Sequence, residues 1–125
     1  MIVDTDVLIW YMRGNLKAKN FIDDQKSFFI SVITYMELVQ GMRNKTELNE
    51  LRKFMRIKNV KVLYINEEIS TKAMFYVEQN YLSHSLQLAD ALIAATASSN
   101  GLPIFTANDK HYKIIKELDV KKFRP

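Results

Sequence analysis

The sequence predicts an α/β fold: one domain over residues 1–125, with a parallel sheet of four to five strands and helices on both faces. Three observations carry this. Short β-rich runs alternate with segments of helical periodicity, and strands separated by helices pair in parallel. One segment, LQLADALIAATA, has helical length but almost no polar face, so it belongs at the centre of the molecule. The 125 residues, 48% hydrophobic and 26% charged, have ordinary globular composition and suffice for one buried core.

The elements follow in order. Met1 to Asp4 is a short apolar run ending at Asp4-Thr5-Asp6, which caps a helix from Val7 to Arg13. Gly14-Asn15 stops that helix, and Leu16 to Asp24 reads as a second one. Ser27 to Val32 is a strand. From Thr34 a helix places Tyr35, Leu38, Val39 and Met42 on one face. Leu48, Leu51, Phe54 and Met55 mark an amphipathic helix that is basic on its other faces. Val60 to Ile65 is a strand, Glu67 to about Tyr81 a helix, and Leu86 to Ser98 the apolar helix, ended by Asn100-Gly101. Leu102 to Thr106 is a strand, Lys110 to Leu118 a helix, and Val120 to Phe123 a last short strand.

Composition excludes several chemistries. With no cysteine there are no disulfides and no thiolate metal sites, which fits a cytoplasmic protein. His84 and His111 are the only imidazoles, so a metal site here is built from oxygen. No apolar run approaches a membrane span, and the N-terminus lacks a signal pattern. The net charge of +4 suits a polyanionic partner, and its distribution says more. Basic residues crowd Arg43 to Lys61 and again Lys110 to Arg124, while Lys72 is the only Lys or Arg between Val62 and Asp109. Such runs are solvated helix faces or the flanks of a nucleic-acid cleft.

Sites in open α/β sheets lie at the carboxyl ends of the strands, which selects among the acids. Asp4 ends the first strand; with capping assigned to Thr5 or Asp6, it is left for function. Glu37 completes a Thr34-x-x-Glu37 capping box, yet it follows the second strand closely. Asp90 lies among Leu88, Ala91, Leu92 and Ile93 with no basic residue within a helical turn or two, so a cation explains it better than an ion pair. Asn108 and Asp109 follow the strand ending at Thr106, where each can cap the next helix or join the site. His111 reads as a surface or RNA-contacting side chain, and His84 as part of a local Ser-His-Ser cap.

DTDVLI, SVITYMELVQG, LADALIAATA and GLPIFTANDKHY, in this order, resemble the successive motifs of the PIN domain, most closely those of VapC-type toxins of toxin–antitoxin pairs. The resemblance covers essentially the whole chain. It implies a three-layer α/β/α PIN-like fold and an acidic site for Mg²⁺ or Mn²⁺, with Asp4, Glu37 and Asp90 as the metal-site acids. Thr5, Asp6 and Thr106 fall at supporting polar positions; the fourth position falls on Asn108, with Asp109 beside it offering the charge. The first strand, only Met-Ile-Val before Asp4, is shorter than in relatives. The implied activity is endoribonucleolytic cleavage of a structured RNA, such as a tRNA or ribosomal RNA loop, by a metal-activated water, leaving a 5′-phosphate. The implied partners are a second copy of the chain and an antitoxin that lays a peptide segment across the acidic cleft. Two other readings stand beside it: a haloacid dehalogenase-like phosphatase using Asp4 and Asp6, although Val7-Leu8 replaces that family's Gly-Thr, and a non-catalytic RNA- or partner-binding module.

Overall fold

A computed structural model describes residues 1–83 and 85–125, so the reading of His84 lies outside the described residues. Its five strands are β1 (Ile2–Val3), β2 (Phe28–Ser31), β3 (Val60–Leu63), β4 (Ile104–Thr106) and β5 (Val120–Lys122). All pair in parallel, in the order β3-β2-β1-β4-β5. The helices are α1 (Thr5–Met12), α2 (Leu16–Asp23), α3 (Val32–Gln40), α4 (Lys45–Ile57), α5 (Glu67–Asn80), α6 (Leu88–Ser99) and α7 (Asp109–Tyr112). The short first strand is sufficient because it is central: Ile2 pairs with Phe29 on one side and with Ile104 on the other.

Successive strand residues face opposite sides of a sheet, and the two cores follow from that alternation. Ile2 and Ile104 join Ile69, Ala73, Tyr76 and, from α6, Ala91, Ala94, Ala95 and Ala97 on one face. Val3, Phe28 and Ile30 join Val7, Leu8, Ile22, Leu38 and Leu51 on the other. The result is the expected three-layer α/β/α arrangement. The edge strands β3 and β5 expose Lys61, Lys121 and Lys122, charges that discourage further strand pairing. No described helix is long and apolar enough to cross a membrane.

Several expected boundaries move, each for a local reason. The first helix starts at Thr5 rather than Val7, because Asp4 itself is the N-cap and accepts the Thr5 N–H at 2.8 Å. The third starts at Val32 rather than Thr34, with Ser31 Oγ accepting the Ile33 N–H. The Thr34–Glu37 capping box is therefore not formed; both residues lie inside the helix. The expected helix from Lys110 to Leu118 is helical only through Tyr112. Beyond it, Ile115 and Leu118 donate to carbonyls three residues back, and this tighter chain buries both side chains. On α4, Leu51 is core, whereas Phe54 lies 5.0 Å from the Tyr11 ring and is half-buried.

Helix α6 lies close on the sheet because Ala91, Ala94, Ala95 and Ala97 are all completely buried. Ala94→Leu forces that spacing open and is expected to cost about 1–3 kcal/mol, the usual scale of overpacking. Equilibrium urea unfolding of the two proteins measures it.

Candidate active site

The strand order dictates where a site can form. From central β1 the chain moves to β2 and β3 on one side, then returns to β4 on the other. A crevice opens outside the carboxyl ends where the direction reverses, here between β1 and β4. Asp4 leaves β1 at this point, with its N–H on the Phe105 carbonyl at 2.9 Å, and Thr106 ends β4 beside it.

Asp4 is 5% exposed. Its Oδ1 accepts the Thr5 N–H; its Oδ2 accepts the hydroxyls of Thr106 at 2.8 Å and Tyr112 at 3.0 Å. These bonds favour the charged form. Burial, and secondly the neighbouring charge of Asp6, outweigh them and push the carboxyl up to about 7. Asp6 is raised as well, chiefly by burial. Its Oδ2 accepts the Ala107 N–H at 3.0 Å and so braces the turn after β4, while its buried Oδ1 has no hydrogen-bond partner among the described residues.

Glu37 reaches the crevice from the second turn of α3. Its Oε1 accepts the Thr5 hydroxyl at 2.7 Å, and Thr5 Oγ1 also lies 2.9 Å from the fully buried Thr34 Oγ1. Asp90 arrives from the opposite layer. Helix α6 precedes β4 and runs against the strands, so its first turn lies at their carboxyl ends. Contrary to the expectation of a carboxylate deep among apolar side chains, Asp90 closes a capping box with Gln87 and is 17% exposed. Its Oδ2 accepts the Gln87 N–H at 3.0 Å and lies 3.4 Å from His111 Nδ1. The difference arises because the helix begins at Leu88, not Leu86, so Asp90 falls in its first turn.

Tyr112, which the sequence reading gave no role, is completely buried with its hydroxyl 3.5 Å from Asp90 Oδ1 as well as on Asp4. Burial and the charges of Asp4 and Asp90 push this phenol well above its usual 10, so it acts as a donor. Residues 108 and 109 separate. Asn108 is exposed and donates its N–H to Thr106 Oγ1. Asp109 is 2% exposed and turned into an ion pair, with Arg124 at 2.8 Å on its Oδ1; that guanidinium holds its carboxyl below the usual range. Arg124 also donates to the Ala107 carbonyl, tying the end of the chain to the β4–α7 turn.

The structure thus links Asp4 to Asp6 through the Thr106 hydroxyl and to Asp90 through that of Tyr112, joins Glu37 to Asp4 through the hydroxyl and N–H of Thr5, and engages Asp109 elsewhere. Among the described residues no three His, Asp or Glu side chains are placed close enough together to hold a metal ion as they stand. From Glu37 a groove of about 880 Å³ runs between α1, α3 and α4, with Arg13, Lys19 and Arg43 on its walls and Leu51 and Phe54 in its floor.

The PIN-domain family model matches residues 1–118. The chain belongs to the PIN-domain family. Among relatives of this PIN domain, Ribonuclease VapC1 of Methanocaldococcus jannaschii is 30% identical over 122 residues, covering 97% of this chain and 85% of the relative. Ribonuclease VapC10 of Mycobacterium tuberculosis is 32% identical, covering 94% and 90%. A toxin–antitoxin complex from Klebsiella pneumoniae contains a chain of similar structure, with a TM-score of 0.74 at 27% identity over 97% of this chain and 95% of that one. VapBC-1 from nontypeable Haemophilus influenzae superposes with a TM-score of 0.82 at 23% identity over 97% and 96%, a likeness of fold.

The raised carboxyls of this PIN domain make its metal-free stability depend on pH. A carboxyl at about 7 when folded and 3.8 when unfolded binds its proton more tightly in the folded state between those values. That contribution is complete below pH 4 and is lost as pH rises through 7. In EDTA, the melting temperature should fall by several degrees between pH 5 and pH 8. Asp4→Asn should flatten the fall, as scanning calorimetry across that range will read.

Proposed function

We propose that this chain is the toxin of a toxin–antitoxin pair, an endoribonuclease that uses Mg²⁺ or Mn²⁺ to cleave a structured RNA such as a tRNA or ribosomal RNA loop. The observation that carries the reading is Asp4: a buried carboxylate beside a second acid, surrounded by neutral donors, with its carboxyl pushed up to about 7. Among the described residues no Lys or Arg pairs with Asp4, Asp6, Glu37 or Asp90. The buried Asp6 Oδ1 without a partner points the same way. An all-oxygen donor set suits a hard divalent cation. The relatives named ribonucleases support the RNA-cleaving chemistry.

Asp4, Asp90 and Glu37 would hold the cation, directly or through water, and Asn108 would complete the site as a neutral oxygen. Once bound, it supplies a Lewis acid for the phosphodiester and a water of lowered pKa. The chain's own residues do the rest. Thr106 and Tyr112 fix Asp4 Oδ2. Thr5 fixes one oxygen of Glu37, leaving the other to orient the attacking water and take its proton. Asp6 anchors the β4–α7 turn and so the position of Asn108. Lys45, Arg52, Lys53 and Arg56 on α4 and Lys110 after β4 would hold the RNA backbone, giving salt-sensitive binding.

The groove from Glu37, where Arg13, Lys19 and Arg43 alternate with Glu47 and Glu50 above an apolar floor, would take either RNA or the inhibitory segment of an antitoxin. Similarity to a chain of a toxin–antitoxin complex supports an antitoxin partner. A homodimer and a cytoplasmic location complete the proposal.

Cleavage should disappear in excess EDTA and return with Mg²⁺ or Mn²⁺; undiminished activity in chelator overturns the reading. Asp4→Asn and Glu37→Gln should each lower kcat by at least about a hundredfold, the scale of losing a general base or its support. Residues 108 and 109 should part company: Asn108→Ala raises the Mg²⁺ requirement with an unchanged melt. Asp109→Ala strands Arg124, lowers the melt and keeps the Mg²⁺ requirement of the parent. Paired melts and Mg²⁺ titrations of cleavage distinguish the two.

A further inference from the structure

A completely buried tyrosine hydroxyl needs an account, because a phenyl ring would fill the same core volume with no polar atom to desolvate. Tyr112 is such a residue, at the last position of the four-residue α7. Its hydroxyl donates to Asp4 Oδ2 at 3.0 Å and lies 3.5 Å from Asp90 Oδ1. Thr106 also reaches Asp4, but its other acid is Asp6. Tyr112 is therefore the side chain that spans the two layers, touching the acid at the end of β1 and the acid in the first turn of α6. Its own position is tied to the far end of the chain, since Arg124 holds Asp109 at the start of α7.

Resting on the cation-dependent reading above, we infer that Tyr112 is a positioning residue whose hydroxyl holds the Asp4 and Asp90 carboxylates in the mutual arrangement from which they take a divalent cation. One donor between two acids also reduces the repulsion that would drive them apart. Packing does not require the hydroxyl, and catalysis does not route through it: Tyr112 acts on the ion's ligands.

The test is Tyr112→Phe in the full chain, with Mn²⁺ alone as the probe. Free Mn²⁺ is followed by electron paramagnetic resonance, alongside a melt in EDTA and cleavage kinetics at rising Mn²⁺. The expected result is a Mn²⁺ affinity about tenfold weaker, the scale of one hydrogen bond to a charged group. The EDTA melt should fall by a few degrees with the fold retained, because buried Asp4 loses one donor, and kcat should recover at saturating Mn²⁺ with KM for RNA unchanged. In an Asp90→Asn background the same substitution should change Mn²⁺ affinity much less, because one of the two carboxylates it aligns has lost its charge. Parental Mn²⁺ affinity in Tyr112→Phe overturns the inference and reduces the hydroxyl to a structural group. Tighter binding overturns it too, showing that the hydroxyl competes for the ion's place, and so does an unfolded Tyr112→Phe by circular dichroism. Failure of the broader reading looks different: the parent protein itself then binds no Mn²⁺ and cleaves in EDTA.

Discussion

A carboxylate buried at the end of the central strand is the constraint around which the rest of this molecule is arranged. Burying a charge costs several kcal/mol unless hydrogen bonds or an opposite charge offset it. Among the described residues, Asp4 receives three hydrogen bonds and no cationic side chain. Each donor depends on a different feature of the fold. The Thr5 N–H is free because α1 begins there, Thr106 is adjacent because β4 pairs with β1, and Tyr112 arrives because α7 follows β4 and packs into the core beside α6. The order β3-β2-β1-β4-β5 is thus the arrangement that supplies Asp4 with partners from both sides of the chain's reversal.

Hydroxyls, rather than ammonium or guanidinium groups, connect the acids. Thr5 serves Glu37, Thr106 serves Asp4 and approaches Asp6, and Tyr112 serves Asp4 beside Asp90. A neutral donor fixes a carboxylate's direction while leaving its charge uncancelled, whereas a lysine in the same place would cancel it. The cations are instead kept outside. Arg124 is engaged by Asp109, Lys58 by Asp23 and Arg43 by Glu47, and α4 carries an exposed basic face. This separation, negative centre and positive surround, is the electrostatic form required to draw in both a small cation and a polyanion.

The sheet was legible because its information is local: apolar β-rich runs, helical periodicity and the Gly-containing stops place every strand within a residue or two. Asp4, Glu37 and Asn108 were legible as addresses, since the carboxyl end of a strand is itself a local property. What failed was anything depending on contacts between distant segments. Thr34-x-x-Glu37 has the pattern of a capping box, yet Ser31 starts the helix and both residues turn inward. Asp90 looked unpaired because only its sequence neighbours were visible; its partners include His111, from α7 beyond β4. Asp109 looked equivalent to Asn108 until Arg124, near the chain's end, took its carboxylate. Tyr112 was legible as a neighbour of the site but not in its role, because an aromatic residue at an inward position is indistinguishable from core until its hydroxyl's acceptors are known.

These acids leave the fold with an internal tension. Asp4 and Asp6 both prefer their protonated forms relative to free carboxyls, so near neutral pH the metal-free protein carries a destabilising pair at the centre of its site. The hydrogen bonds around Asp4 offset part of that cost and, by fixing direction, keep the carboxylates from turning apart to relieve it. A ligand that binds the folded chain and not the unfolded one adds stability by mass action, and a cation among these oxygens would do so where the fold is least satisfied. On the proposed cation-dependent reading, stability and ion affinity are two readings of one energy. Any substitution that relaxes the acids, such as loss of Asp4's charge, should strengthen the metal-free fold by the same interaction it removes from the site.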